Sequence, residues 1–220
     1  MSTESTIITY YAKRALEYER IYDKPERQAD LARLRALVKH LFADKDVLEV
    51  ACGTGYWTEV VSQTAASIMA VDINDEVLDI ARAKPIDRRK VKFKRADIYA
   101  LPVFPEVFTG SLAVFWWSHI PKQRLGAFLR GLHRAFAPGT RVVFIDNLYV
   151  EGSSTPISRA DADGNTYQKR PLDDGTTHEV MKNFPSEQEL CAAVADLACE
   201  ARVEFLKYYW MLSYVSKAQR

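Results

Sequence analysis

Residues 46–60 read DVLEVACGTGYWTEV: a strand-like apolar run, a Gly-Thr-Gly break at 53–55, and a continuation at helical spacing. A glycine pair between a strand and a helix lets the backbone approach a nucleotide-like ligand closely, so this stretch decides the fold class and where to look for a site. On either side the same alternation continues. VLEVA (47–51) reads as a buried strand, SIMAVDI (67–73) as a second, VKFKRADI (91–98) as a third, SLAVFWW (111–117) as a fourth and RVVFIDN (141–147) as a fifth. Residues 26–43 place Leu31, Leu34, Leu37, Val38, Leu41 and Phe42 on one helical face. Asn74 is a candidate cap for the helix DEVLDIARAK, which stops at Pro85, and another helix opens at Pro121 and ends before APGT. Strands and helices in this rhythm predict a doubly wound α/β fold with a mostly parallel sheet, whose ligands bind at the carboxyl ends of the strands.

The stretch 148–185 breaks the rhythm. Two turn signals, DADGN and DDGT, flank TYQKRPL and predict an inserted β-hairpin that covers the active edge of the sheet. SEQE (186–189) has capping-box spacing and opens a helix to about Ala198, and ARVEFLKYYWMLSYV predicts the last one or two strands.

Composition narrows the function classes. The 220 residues, 48% hydrophobic and 27% charged, suit one α/β domain with a single core, spanning 1–220. A net charge of +1 with intermixed signs gives no footprint for nucleic acid and no polybasic membrane tail. Cys52, Cys191 and Cys199 have no metal-ligand spacing and read as buried reduced thiols, so no metal is expected. The N-terminus lacks the apolar core of a signal peptide, and no run approaches the ~18 apolar residues of a membrane span, so a cytoplasmic protein is expected.

The neighbours of the glycines say more than the glycines. A dinucleotide fingerprint needs a third small residue, and this chain has Thr58 there, with the bulky Tyr56 and Trp57 before it. Glu49 lies inside the strand ahead of the loop, an odd place for a carboxylate unless a cation meets it. Asp72 ends the second strand, where an acid can accept from ribose hydroxyls, and Asp97 ends the third, where one can accept from an adenine amine. Each acid alone is explicable as a turn residue; three at successive strand tips point to a ligand with an amine, a ribose and an adenine.

On these residues the sequence resembles the class I S-adenosylmethionine-dependent methyltransferases of small-molecule type. VLEVACGTGYW is similar to that family's first motif, AVDINDEVLDIARAK to its acidic loop, and VKFKRADIYALP to its adenine-contacting segment. The resemblance covers 46–147 well and the C-terminal strands more loosely. It implies a Rossmann-like, seven-stranded sheet with an antiparallel C-terminal strand, and S-adenosyl-L-methionine as cofactor. It also implies that Gly53 and Gly55 pass the methionine part and that Glu49 orders the loop or meets the amino group through water. Asp72 would bind the ribose, Ile73 would pack on the adenine, and Asp97 and Ile98 would hold its edge, with Ala51, Trp57 and Trp116 in the same set. Ala51 stands where many members have glycine, which is tolerable if its φ is negative.

The acceptor is read from two further stretches. FWWSHIP (115–121) follows the fourth strand and faces the methyl group in such enzymes; it lacks the Asp/Asn-Pro-Pro-aromatic motif of DNA amine methylation. Of Trp116 and Trp117, at most one lines a pocket. His119 is the candidate general base, and its other reading is a cap for the helix that Pro121 opens. In the N-terminal segment Tyr11, Ala15, Tyr18 and Tyr22 share a helical face beside Arg14. That stripe reads either as packing or, by the resemblance, as a lid over residues 1–25 whose Tyr11 and Tyr18 touch ligand. The hairpin would bring Tyr149, Arg159, Tyr167 and Arg170 to the mouth, where arginines could bind a carboxylate or simply be solvated. The expected function is methyl transfer to O or N of a small, planar or aromatic acceptor by a monomer or homodimer. A protein-directed methyltransferase, a nicotinamide-dependent oxidoreductase and a non-catalytic binding module stay open as alternatives.

Overall fold

In the computed structural model, which describes residues 3–218, helix α1 (Thr3–Arg14) leads through a 3-10 run (Ala15–Tyr22) into α2 (Gln28–Leu41). Then come β1 (Asp46–Val50), α3 (Tyr56–Ser62), β2 (Ser67–Asp72), α4 (Asp75–Ala83), β3 (Val91–Arg95), β4 (Gly110–Val114), α5 (Lys122–His133) and β5 (Arg141–Asn147). An insert of three strands follows: β6 (Ile157–Ala160), β7 (Thr166–Pro171) and β8 (Thr177–Met181). Helix α6 (Glu187–Val194), β9 (Ala198–Phe205) and β10 (Tyr209–Ser216) end the chain.

The main sheet runs β3-β2-β1-β4-β5-β10-β9, parallel through β5 and antiparallel at its last two pairings. This is the seven-stranded, Rossmann-like arrangement the sequence predicts. Both faces are covered. In β5, Val143 and Ile145 enter the core beneath α2, while Val142 and Phe144 enter the one beneath α5 and α6. Leu31, Leu34 and Val38 of α2 are fully buried at helical spacing, each worth about 1.5–3 kcal/mol against leaving it exposed. Burial on both sides is why β1, β4 and β5 carry apolar residues on both faces, as at Val47 and Leu48, Leu112 and Ala113, and Val142 to Ile145. The capping box of α6 forms as predicted, Ser186 Oγ accepting from the Glu189 N–H at 3.2 Å. Asn74 occupies the N-cap position of α4 but makes no side-chain cap; its own N–H donates to Asp72 instead.

Two sequence expectations are corrected here. The inserted hairpin is a three-stranded antiparallel sheet, β6-β7-β8. Its first strand is exposed along its whole length, so it has no apolar alternation to read. Of the cysteines, only Cys52 is buried; Cys191 on α6 and Cys199 on β9 are exposed.

The cover of the sheet has two parts that pack on each other. Ile7 and Tyr10 of α1 form a small apolar cluster with Tyr167, Leu172, Val180 and Met181 of the insert. The 3-10 run is tied down separately: Thr54 Oγ1 donates to Glu19 at 2.7 Å, and Lys84 Nζ pairs with Glu19 at 2.9 Å. A 3-10 run this long departs from the regular helix the tyrosine spacing suggests. The rings still meet, Tyr11 to Tyr18 at 5.7 Å and Tyr18 to Tyr22 at 6.3 Å. Of the expected lid, residues 1 and 2 lie outside the described residues, as do 219 and 220 of the domain.

Candidate active site

Strand β1 has β2 on one side and β4 on the other, so strand order reverses there and opens a crevice at the carboxyl ends. The loop leaving β1 is strained. Ala51, Gly53 and Gly55 take φ of +54°, +55° and +79°. Ala51 therefore does not have the negative φ expected of it; the turn wants glycine there, and alanine accepts a cost of about 1–2 kcal/mol. The loop is pinned by Asp72, whose Oδ2 accepts from the Gly53 N–H at 2.9 Å and Oδ1 from the Asn74 N–H at 3.0 Å. These bonds partly offset burial, which raises the Asp72 pKa. At Gly55 an added Cβ would come within 2.9 Å of Ala81 Cβ, so this glycine serves the approach of α4 to the loop. At Gly53 it would meet only the Tyr18 ring, at 4.0 Å, which leaves room for a ligand beside the backbone.

Ala51, Gly53, Asp72 and Ile73 line one cavity together with Asp97 and Ile98. Tyr11, Tyr18, Trp116 and His119 close it. Asp97 is exposed there, with Oδ1 accepting from the Tyr99 N–H at 2.9 Å. Glu49 lies behind this wall, 2% exposed, with Oε2 unpartnered and its pKa pushed up to about 8 by burial.

Other expected site residues are elsewhere. Gly55 and Trp57 are off the cavity wall; Trp57 is buried against Tyr22 and Tyr56. Trp117 packs edge-on to Phe144 and Trp210 in the opposite core, so of the tryptophan pair only Trp116 lines the pocket. Tyr149 is 42% exposed against Phe184, and Arg159 pairs with Glu179 at 2.7 Å on the outer face of the insert.

His119 ends a 3-10 turn (Trp117–His119) and caps no helix, which removes that reading. Its Nδ1 lies 2.6 Å from the Met181 carbonyl oxygen, and Nε2 lies 2.7 Å from the Tyr11 hydroxyl. A carbonyl can only accept, so Nδ1 carries the proton and Nε2 accepts from Tyr11. Burial, aided by the charges of Lys182, Arg170 and Arg14, holds the ring well below the usual histidine pKa, hence neutral.

A second cavity shares Tyr11, Tyr18, Phe115 and His119 with the first and contains Arg170. Several of its walls escape the sequence reading. Phe115, with φ +58°, ends β4 and stacks near Tyr22 and Tyr209. Lys182 is 3% exposed and donates to Asp146 at 2.6 Å and Ser118 at 2.7 Å. The signal available for this pair was a fourth strand-tip acid, Asp146 in RVVFIDN, which a buried sheet end does not need.

Comparison with known proteins bears on this geometry. Residues 47–139, from β1 to just before β5, match the family described as "Methyltransferase domain". The structure of a DhpI complex with SAH superposes with a TM-score of 0.77 at 26% identity, covering 98% of this chain and 97% of that one. Residues 47–139 carry a methyltransferase domain, and the chain shares its fold with an S-adenosylhomocysteine complex. Among sequence relatives, the "Ubiquinone biosynthesis O-methyltransferase" of Nitrosospira multiformis is 30% identical over 80 residues, 36% of this chain and 34% of that protein. The "Malonyl-[acyl-carrier protein] O-methyltransferase" of Pectobacterium atrosepticum is 25% identical over 174 residues, 75% of this chain and 65% of that protein. The matches thus span from about a third to just under two thirds of these relatives' lengths. No helix among the described residues is long and apolar enough to cross a membrane.

Proposed function

We propose that the protein transfers the methyl group of S-adenosylmethionine to an oxygen, or less readily a nitrogen, of a small planar acceptor. One observation carries this reading. The cavity on Ala51, Gly53, Asp72 and Asp97 adjoins a second, differently lined space, and the two have Tyr11, Tyr18, Phe115 and His119 as common walls. The residues fit the cofactor. Glu49 Oε2 is buried without a partner, and Gly53 leaves space along its backbone. Asp72 and Asp97 retain acceptor capacity beyond their backbone bonds, because a carboxylate offers about four lone-pair sites.

When bound, S-adenosylmethionine supplies an electrophilic methyl on a sulfonium, so the chain has to orient the acceptor and exclude water. Asp72 would accept from the ribose hydroxyls and Asp97 from the adenine amine, and Ile73 and Ile98 would pack on the base. Glu49 would order the loop or meet the amino group through water. Tyr18 and Phe115 form aromatic walls that align a flat acceptor. His119 acts as a positioning residue: its lone pair is taken by Tyr11, and its neutral ring is a weak base.

The O-methyltransferases among the sequence relatives, those of Nitrosospira multiformis and Pectobacterium atrosepticum, favour oxygen. The cover made by α1 and the insert favours a small acceptor over a protein segment. The reading is of a cytoplasmic enzyme without nucleic-acid or membrane partners, a monomer or homodimer.

The test is incubation with methyl-labelled S-adenosylmethionine and a panel of phenols, aromatic acids and aromatic amines. Label in an O-methyl product is expected. Transfer to peptides alone would make the enzyme protein-directed, and cofactor binding without any transfer would leave a binding module.

A further inference from the structure

The two adjoining cavities differ in charge. Asp72 and Asp97 line the first, with Arg124 as the one cation among the described residues on its wall, whereas Arg14, Lys24, Arg27, Arg170 and Lys182 line the second, a cavity of ≈ 240 Å³. These five cations come from α1, from the segment before α2, from β7 and from the end of β8, so chain proximity does not explain their meeting. One acid, Glu17, shares the wall, and it is engaged with Arg20 at 3.9 Å and the Asp173 N–H at 3.3 Å.

Among the described residues no carboxylate pairs with Arg14, Lys24, Arg27 or Arg170. Arg170 is half-buried and donates to the neutral Gln168 carbonyl at 2.7 and 3.2 Å. Arg14 lies over the rings of Tyr10 and Tyr18 at 5.6 and 5.4 Å. Arg27 is 8% exposed, donates to Ser153 Oγ at 3.1 Å, and leaves its buried Nε unpartnered. Only Lys182 has a carboxylate, Asp146. Buried cations without counter-charges are costly, and like charges around one space add to that cost. The cavity's field reaches its neighbours: after burial, Lys182 and Arg170 are the next causes depressing His119, and burial with Arg170 pulls Lys182 down to about 8 against Asp146.

We infer that this second cavity is an oxyanion subsite, so that the methyl acceptor carries an ionised carboxylate or phosphate-type group gripped by Arg170, Arg14 and Lys182. The inference rests on the methyl-transfer reading and names the substrate class for it. The cofactor keeps the acidic cavity, and the acceptor takes the basic one. A guanidinium fork can donate to two oxygens of one anion at once, and the cavity presents three such forks. The aromatic walls shared with the first cavity then hold the rest of the acceptor toward the methyl group.

The experiment uses the full chain saturated with S-adenosylhomocysteine and titrates phenylphosphonate, benzoate and neutral benzyl alcohol by calorimetry. At least one acid should bind about tenfold or more tighter than the alcohol, and which acid does so separates phosphate-type from carboxylate recognition. Arg170→Gln should weaken that acid by about tenfold or more while S-adenosylhomocysteine affinity stays within roughly twofold. Arg14→Gln, on a different element, should act in the same direction and serves if the first variant folds poorly. The inference is overturned if the alcohol binds as well as the acids, if neither acid binds below roughly 10 mM, or if neither substitution weakens the acid. Failure of S-adenosylhomocysteine itself to bind would instead overturn the methyl-transfer reading.

Discussion

The Tyr11 hydroxyl donates to His119 Nε2 at 2.7 Å, joining the first helix of the cover to the turn that follows β4. With Nδ1 bound to the Met181 carbonyl, the imidazole also links that turn to the insert. Tyr11→Phe should leave a buried nitrogen unsatisfied, at about 1–3 kcal/mol, and raise the acceptor KM more than it lowers kcat. Because His119 stays neutral, kcat should show no limb near pH 6–7 that depends on it. Parallel pH profiles for wild type and His119→Gln are expected; an acid limb present only in the wild type would make His119 the base.

Glu49 predicts proton release on cofactor binding. Its folded pKa, raised from 4.5 to about 8 by burial, means that the unliganded protein keeps a proton the unfolded chain has lost. That contribution to stability is fully present below about pH 4.5 and is lost as pH rises through about 8. The cofactor's ammonium group favours the carboxylate, so binding S-adenosylhomocysteine at pH 7 should expel the proton. Calorimetry in buffers of different ionisation enthalpy measures the release; Glu49→Gln should abolish it and flatten the pH dependence of Tm.

The buried Lys182–Asp146 pair should be far more sensitive to half-removal than to full replacement. Lys182→Met leaves Asp146, fully buried, without its cation and should cost about 3–5 kcal/mol. Adding Asp146→Leu should recover part of that loss in a denaturant titration. Equal destabilisation by the single and double changes would show that packing, not charge, dominates there.

Ala51 offers a change in the opposite direction. Its φ of +54° suits glycine, so Ala51→Gly should stabilise by about 0.5–1 kcal/mol net of the added freedom of the unfolded chain. A fall in Tm would mean that the Ala51 methyl contributes packing that outweighs its backbone strain.

The sheet was legible in the sequence because both its faces are buried. β1, β4 and β5 read as largely apolar runs, and Glu49 inside β1, Asp72 at the end of β2 and Asp97 just past β3 stand out against that background. Ala51, Gly53, Asp72, Ile73, Asp97 and Ile98 all meet on one cavity for this reason: each lies within a few residues of a strand end. The acceptor side was less legible because it is assembled from segments far apart in the chain. Lys182 and Arg27 carry no local pattern, and their meeting depends on how the insert and α1 fold over the sheet. Phe115 was hidden by the apparent continuation of SLAVFWW as a strand, which the structure ends at Val114, just before a positive φ at Phe115. β6 was missed because an exposed strand has no apolar face to betray it.

The central claim is that the crevice at β1 and β4 holds S-adenosylmethionine through Asp72. Titrating the wild-type chain with S-adenosylhomocysteine, with NADH as the control, tests it most directly. The account predicts micromolar or tighter binding of S-adenosylhomocysteine and none of NADH. It also predicts a loss of roughly a hundredfold in Asp72→Ala, about 2.7 kcal/mol for the ribose contacts and the loop anchor together. Binding of NADH, or S-adenosylhomocysteine affinity unchanged in Asp72→Ala, would contradict it.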